Sequence, residues 1–188
     1  MPTDVELMLQ VQRGDRNAFG ELVERYRSAL TRVARSKISD ADTADDIVQE
    51  TFLAVYGARQ TYNPKFAVRT WVWTILLNLC RKHLARQQKQ ATRMSKLGVL
   101  CSTVSQESGL TELLLSERRD EIAAVLDELP EAQADALRLR FFGELKFSEI
   151  ADAMGSSVSG AKVRVRKGLI ACAQLLRDRS PSEEGGES

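Results

Sequence analysis

Apolar residues recur at intervals of three and four through most of this chain, and no stretch alternates strictly between apolar and polar. That spacing fits a helix of 3.6 residues per turn and leaves no candidate strand, so the expected fold is all-α. Phe19, Leu22, Val23, Tyr26, Leu30 and Val33 form one apolar stripe, broken by the small polar run Asp40 to Thr43. A second helix is expected from about Ala44 to Ala58, with Val48, Phe52 and Val55 facing inward. Gln60 to Lys65 contains Asn63-Pro64 and reads as a loop, because proline disfavours helical backbone in the residue before it. A third helix, about Arg69 to Gln88, starts almost wholly apolar and ends as RKHLARQQK.

Between Gln87 and Ser116 the apolar spacing lapses into polar and small residues. This is longer than connections inside a compact domain usually run, so it is expected to be a linker. Helical spacing resumes with Ile122, Val125, Leu126 and Leu129 and stops at Pro130. Three further helices are expected: Glu131 to Phe142, Phe147 to Met154, and about Val158 to Leu176. The architecture is therefore two small helical domains, 1–90 and 117–178, joined by a flexible linker over 91–116. Residues 179–188, with no core-forming side chain, are expected to be a disordered tail.

Composition removes several classes of chemistry. Three cysteines, Cys80, Cys101 and Cys172, form no C-x-x-C pair and cannot make a disulfide framework, so they read as reduced thiols. With one histidine, His83, no His-based metal site is expected, nor any cofactor. The start, MPTDVELMLQ, is acidic and polar rather than a secretory leader, and the most apolar run, Trp71 to Cys80, is too short to span a bilayer. The expectation is a cytoplasmic protein without membrane insertion.

The net charge of +1 conceals a strong segregation. Residues 1–50 carry 7 basic and 10 acidic side chains, whereas 51–106 carry 9 basic and none acidic. Residues 107–155 carry 5 basic and 12 acidic, and 156–188 carry 6 basic and 4 acidic. Two separate basic stretches on a nearly neutral chain are the electrostatic footprint of a polyanion partner.

The sharpest local pattern is FSEIADAMGSSVSGAKVRVRKGL, residues 147–169. Phe147, Ile150, Ala151 and Met154 make one inward face, Gly155 the turn, and Val158, Ala161, Val165 and Leu169 the next inward face. This is a helix-turn-helix, whose second helix would enter the major groove. Ser159, Lys162, Val163, Arg166 and Lys167 stand outward, with Arg164 at the flank. In the first domain, Asp46, Gln49 and Glu50 share an outward face at i, i+3, i+4. First-turn carboxylates such as Asp45 and Asp46 also favour the helix dipole, so spacing alone does not assign this face a partner. Tyr62, Phe66, Trp71 and Trp73 interleave with Lys65, Arg69, Arg81, Lys82 and Arg86, a pattern suited to single-stranded nucleic acid. At least one of the two tryptophans is expected in the core. Asn78, polar in an apolar run, reads either as a buried hydrogen-bonder or as a base reader.

Taken together, these segments resemble an extracytoplasmic-function (ECF) sigma factor of the sigma-70 family. The resemblance rests on GDRNAFGELVERY at 14–26, ADDIVQETFLAVY at 44–56 and RTWVWTILLNLCRKHL at 69–84. It continues through LDELPEAQADALRLRFFGELKFSEIADAMG at 126–155 and SVSGAKVRVRKG at 157–168. It implies a transcription factor without catalysis of its own that binds core RNA polymerase at the β′ clamp helices and β flap. It also implies recognition and melting of promoter DNA, a cognate anti-sigma factor, and a monomer when free. Residue by residue, Asp45, Asp46, Gln49 and Glu50 match the clamp-docking helix. Tyr62, Asn63 and Lys65 match the loop that captures a flipped −10 base; Asn78 matches an asparagine beside it, and Arg81, Lys82 and Arg86 the basic helix along the −10 strand. Ser159, Gly160, Lys162, Val163, Arg164, Arg166 and Lys167 match the −35 reading helix. Val68 stands where the family usually has Phe, so Phe66 is expected to take over that packing. Lys146 replaces a frequent capping Ser, and Gly160-Ala161 replaces Thr-Val.

Two other classes compete. A stand-alone helix-turn-helix regulator would need neither the acid-free stretch nor the ADDIVQETF face. A metal-dependent nuclease needs converging carboxylates, and Asp45-Asp46 has no acidic companion from 51 to 106.

Overall fold

The computed structural model describes residues 1–95 and 121–179, and among these every regular element is helical. The first domain opens with α1 (Asp4–Gln12), which the apolar stripes alone did not mark. Its start is nonetheless written in the sequence: Thr3 accepts from the Glu6 N–H and Glu6 accepts from the Thr3 N–H, a reciprocal capping box. Leu7, Met8 and Val11 then enter the core.

α2 (Arg16–Arg35) buries Leu22, Tyr26, Leu30 and Val33, the stripe expected from spacing, and Asp15 caps it. α3 (Ala41–Gly57) begins three residues before the expected Ala44 because Asp40 caps it through the Thr43 N–H. Its inward face holds Ala44, Ile47, Val48, Thr51 and Val55. A short 3-10 turn, Arg59–Thr61, leads into the loop before α4 (Val68–Ser95). α4 continues past the boundary expected at residue 90, since nothing in QQKQATRMS breaks a helix.

The second domain contains helical residues 121–127, α5 (Glu131–Leu137), a π turn Arg138–Phe142, α6 (Phe147–Ala153) and α7 (Val158–Arg179). The expected single helix from Glu131 to Phe142 is thus α-helical only to Leu137 before it widens. Gly155 has φ +58°, the left-handed backbone that makes the tight α6–α7 turn. The expected linker from residue 96 to 116 and the tail from residue 180 lie outside the described residues.

Three sequence expectations need correction. Phe66 is 66% exposed while Val68 is 1% exposed, so Phe66 does not replace the usual packing residue. Val68, at the first position of α4, fills that site itself. On α7, Val158 and Leu169 are exposed, and the inward face is Ala161, Val165 and Gly168. Steps of four and three track the 3.6-residue turn, whereas a second step of four rotates Leu169 outward.

The two domains pack directly on one another. Trp73 is fully buried, and a β-carbon at Gly143 would lie 3.1 Å from its ring, so the second domain closes over the first domain's largest core residue. Lys37 Nζ lies 2.5 Å from Asp135 Oδ1, and Arg81 donates to Asp135 Oδ2 at 3.0 Å. Arg138 donates to the Ser36 carbonyl at 3.0 Å and to Asp127 at 2.6 Å. Arg69 donates to the carbonyls of Gly143 and Glu144, and Arg32 to the Phe142 carbonyl and the Glu144 carboxylate.

Candidate nucleic-acid interface

α7 is the better defined of two basic faces. Ser157 caps it, accepting from the Gly160 N–H at 3.1 Å. A β-carbon at Gly160 would lie 3.2 Å from that hydroxyl, so glycine where Thr is usual eases the cap. Ser159, Lys162, Val163, Arg166 and Lys167 are exposed along one side, as their spacing requires. Gly160 and Arg164 are half-buried. One guanidinium nitrogen of Arg164 is buried with no hydrogen-bond partner among the described residues. Lys162 Nζ leans over the Phe147 ring at 5.9 Å, tying the base of this face to α6.

Lys146, which cannot accept a hydrogen bond, leaves α6 with half a capping box. Glu149 accepts from the Lys146 N–H at 2.7 Å, so the helix start survives the loss of serine.

The second face surrounds the loop before α4. Tyr62 is buried: its hydroxyl donates to the Phe66 carbonyl at 2.5 Å and its ring packs 5.4 Å from Trp71. Burial raises its pKa. Gln12 holds the loop from beneath, donating to the carbonyls of Arg59 and Tyr62. The Asn63 side chain accepts from the Lys65 N–H, setting the tip, where Asn63, Lys65 and Phe66 are exposed. Asn78, Lys82 and Arg86 are exposed on α4, which settles the alternative for Asn78 against a buried hydrogen-bonder. Trp73 is core and Trp71 is half-buried. A cleft of about 550 Å³ lies between this loop, Thr70 and Thr74 on one side and Ala151, Asp152, Gly155 and Ser156 on the other.

The acidic face of α3 divides in two. Asp45 is half-buried and bonded to Arg35, whereas Asp46, Gln49 and Glu50 are exposed. Leu53, one turn on from Gln49 and Glu50, is 72% exposed, an apolar patch beside the carboxylates that the sequence reading passed over.

Sequence reasoning also missed the Lys37–Asp135–Arg138 cluster. The signal was there: Asp135 and Arg138 fall at inward spacing among Ala134, Ala136, Leu137 and Leu139, where a charge must be paired. Among the described residues, no group of His, Cys, Asp and Glu is placed to hold a metal ion, and no helix is long and apolar enough to cross a membrane.

Comparison with known proteins agrees with this layout. The family model for Sigma-70 region 2 matches residues 22–90, and that for Sigma-70, region 4 matches residues 119–172. The RNA polymerase sigma-H factor of Pseudomonas aeruginosa is 30% identical over 169 residues, covering 86% of this chain and 88% of that one. The ECF RNA polymerase sigma-E factor of Escherichia coli is 28% identical over 170 residues, covering 87% and 88%. Among solved structures, CnrH in complex with the cytosolic domain of CnrY superposes with a TM-score of 0.73 at 25% identity, covering 94% of this chain and 99% of that one. The Bartonella quintana sigma factor RpoE, solved with the anti-sigma factor NepR, shares the fold with a TM-score of 0.64 at 21% identity, covering 86% and 98%. Two matched regions in this order, and a relative this similar over nearly its whole length, show that the chain belongs to the sigma-70 family as an extracytoplasmic-function sigma factor.

Proposed function

We propose that this chain binds core RNA polymerase, directs it to promoters by reading −35 and −10 elements, and promotes melting of the DNA between them and the start site. The observation that carries the reading is the pairing, on one chain, of a region 4 helix whose basic side is exposed with a region 2 loop-and-helix face free of carboxylates. Residues 117–178 form the −35 domain, in which Ser159, Lys162, Val163, Arg166 and Lys167 face DNA. Gly160 lets the helix start close to Ser157, and Arg164 borders the face. Helix N-terminal residues read base edges while Lys and Arg hold phosphate or the guanine acceptors.

Residues 1–90 bind polymerase and the −10 element. Asn63, Lys65 and Asn78 contact a base taken out of the stack, which costs a few kcal/mol that stacking and hydrogen bonding must offset. Tyr62 supports the loop from within, and Arg81, Lys82 and Arg86 follow the strand. Asp46, Gln49 and Glu50, oriented with the help of Asp45, dock on the β′ clamp helices, and the second domain meets the β flap. An anti-sigma factor is the expected inhibitor; the 25%-identical relative is itself solved with a protein cytosolic domain. On this reading the protein works in the cytoplasm and is a monomer until it joins polymerase.

The test is a binding and opening assay with purified core polymerase and the promoter upstream of the chain's own gene. A stable complex that makes −10 thymines reactive to permanganate supports the reading. A complex that leaves the duplex closed overturns the melting assignment.

A further inference from the structure

The cleft of about 550 Å³ beside the loop before α4 carries chemistry that the nucleic-acid reading leaves unused. One wall comes from the loop and the start of α4, the other from the end of α6 and the α6–α7 turn. Its volume falls in the range of about 300–1,000 Å³ usual for sites that enclose a small organic molecule. Asn78, assigned above to the −10 base, does not line it.

The hydroxyl oxygens of Thr70 on α4 and Ser156 in the turn, one on each wall, are buried without a hydrogen-bond partner among the described residues. A buried hydroxyl left unpaired costs stability, so native chains rarely keep one without a reason. Thr74, one turn on from Thr70, shows the ordinary arrangement: its hydroxyl donates to the Thr70 carbonyl at 2.9 Å. The Ser156 backbone N–H is likewise paired, donating to the Ala151 carbonyl at 2.8 Å, which leaves the side-chain hydroxyl unmatched.

The same cleft is lined by aromatic rings. Trp71 is half-buried with its ring 5.4 Å from that of Tyr62, and Phe66 is 66% exposed. Rings so placed offer a guest ring offset-stacked or edge-to-face contacts. The charged residues of the lining, Lys65 and Asp152, are of opposite sign, so neither an anion nor a cation is favoured.

We propose that this cleft binds a neutral aromatic molecule bearing a hydroxyl or carbonyl group, its ring against Phe66 and Trp71 and its polar group between Thr70 and Ser156. A phenolic hydroxyl suits both side chains, since it donates to one oxygen and accepts from the other. The site does not depend on the −10 assignment. A guest there touches both walls and stabilises the folded chain in proportion to its occupancy.

Titration of the full chain with β-naphthol, followed by nitrogen–proton NMR, tests the site. The chain has two tryptophans and so gives two indole N–H signals. Trp71 lines the cleft, whereas Trp73 is buried in the core and does not. The Trp71 signal should shift saturably at sub-millimolar β-naphthol while that of Trp73 stays in place. Thr70→Val/Ser156→Ala should bind about tenfold more weakly, two hydrogen bonds being lost. Its melting midpoint should not fall, because both hydroxyls lack partners in the free chain. Phe66→Ala, a change at an exposed side chain, should weaken binding several-fold and leave the chain folded. Shifts of both indoles together, or none that saturate, overturn the site. A folded double variant that binds as tightly as the parent overturns the role of the two hydroxyls, and the ligand class with it. If adenosine or thymidine saturates the Trp71 shift and β-naphthol does not, the cleft belongs to base capture and the proposal falls. Should the double variant unfold, Phe66→Ala decides: unchanged binding overturns the proposal.

Discussion

Arg35 and Asp45 face each other from α2 to α3 in a bidentate pair, the guanidinium Nε at 3.1 Å and Nη2 at 2.7 Å from the two carboxylate oxygens. The pairing raises the pKa of Arg35. It also separates Asp45, which holds α3 in place, from Asp46 and Glu50, whose carboxylates are exposed. Reversing the charge at Asp46 and Glu50 together is expected to abolish measurable binding to core polymerase without changing the thermal midpoint. Asp45→Ala is expected to cost at most about 1 kcal/mol of stability, as exposed ion pairs do, and to weaken polymerase binding less than the double reversal. Unchanged affinity in the double reversal contradicts the docking assignment.

Asn78 is exposed on α4, so Asn78→Ala removes no buried contact. Stability should stay within about 0.5 kcal/mol of the parent. Promoter opening should fall while binding to a −35 duplex is unaffected. Loss of both activities, with a lowered melting midpoint, would show a structural role instead.

On α7, Arg166 is free to reach DNA and Arg164 is partly covered. Arg166→Ala should cost about 1–3 kcal/mol of −35 discrimination if the guanidinium bridges the guanine acceptors. An equal loss on all duplexes, with a shallower salt dependence, would make Arg166 a phosphate clamp.

Gly168 lets α7 lie against α5: a β-carbon there would sit 2.8 Å from Leu137 Cδ1 and 3.1 Å from its Cγ. Gly168→Ala is expected to destabilise the second domain by about 1–3 kcal/mol, the usual cost of overpacking. Denaturant unfolding checks this, and a neutral result would mean Leu137 has room to turn.

Burial pushes the Cys80 thiol from 9.0 up to about 11, and Tyr26, desolvated and hydrogen-bonded to Asp4, is raised as well. A raised pKa means the native state keeps its proton longer than the unfolded chain. The resulting stability is complete below the unfolded value and is lost as pH climbs through the folded one. For Cys80 the two-unit gap corresponds to at most about 3 kcal/mol, lost between roughly pH 9 and 11. Urea midpoints should therefore fall steeply over that range, and a flat profile would contradict the burial of both groups.

Helix positions were legible because they depend on local spacing and capping. The stripe from Leu22 to Val33 and the Gly155 turn could be read directly from residue order. The exposed basic side of α7 was legible for the same reason, since one amphipathic helix shows its outward residues at fixed intervals. What spacing could not show was partnership across long separations. Tyr62 is buried through a bond to Phe66 and support from Gln12, some fifty residues earlier in the chain. Asp135 owes its burial to Lys37 and Arg81, which belong to the other domain. The charge segregation was visible in the sequence, and its intramolecular counterpart, Asp135 between Lys37 and Arg81, emerged only when the domains were placed together.

Run-off transcription with core RNA polymerase, the purified chain, and a template carrying the promoter upstream of its gene tests whether this chain directs polymerase to a promoter. A discrete transcript that core polymerase alone does not make is expected, and it should disappear with Asp46 and Glu50 reversed. Folded, uninhibited protein that neither binds core nor yields that transcript would contradict that role.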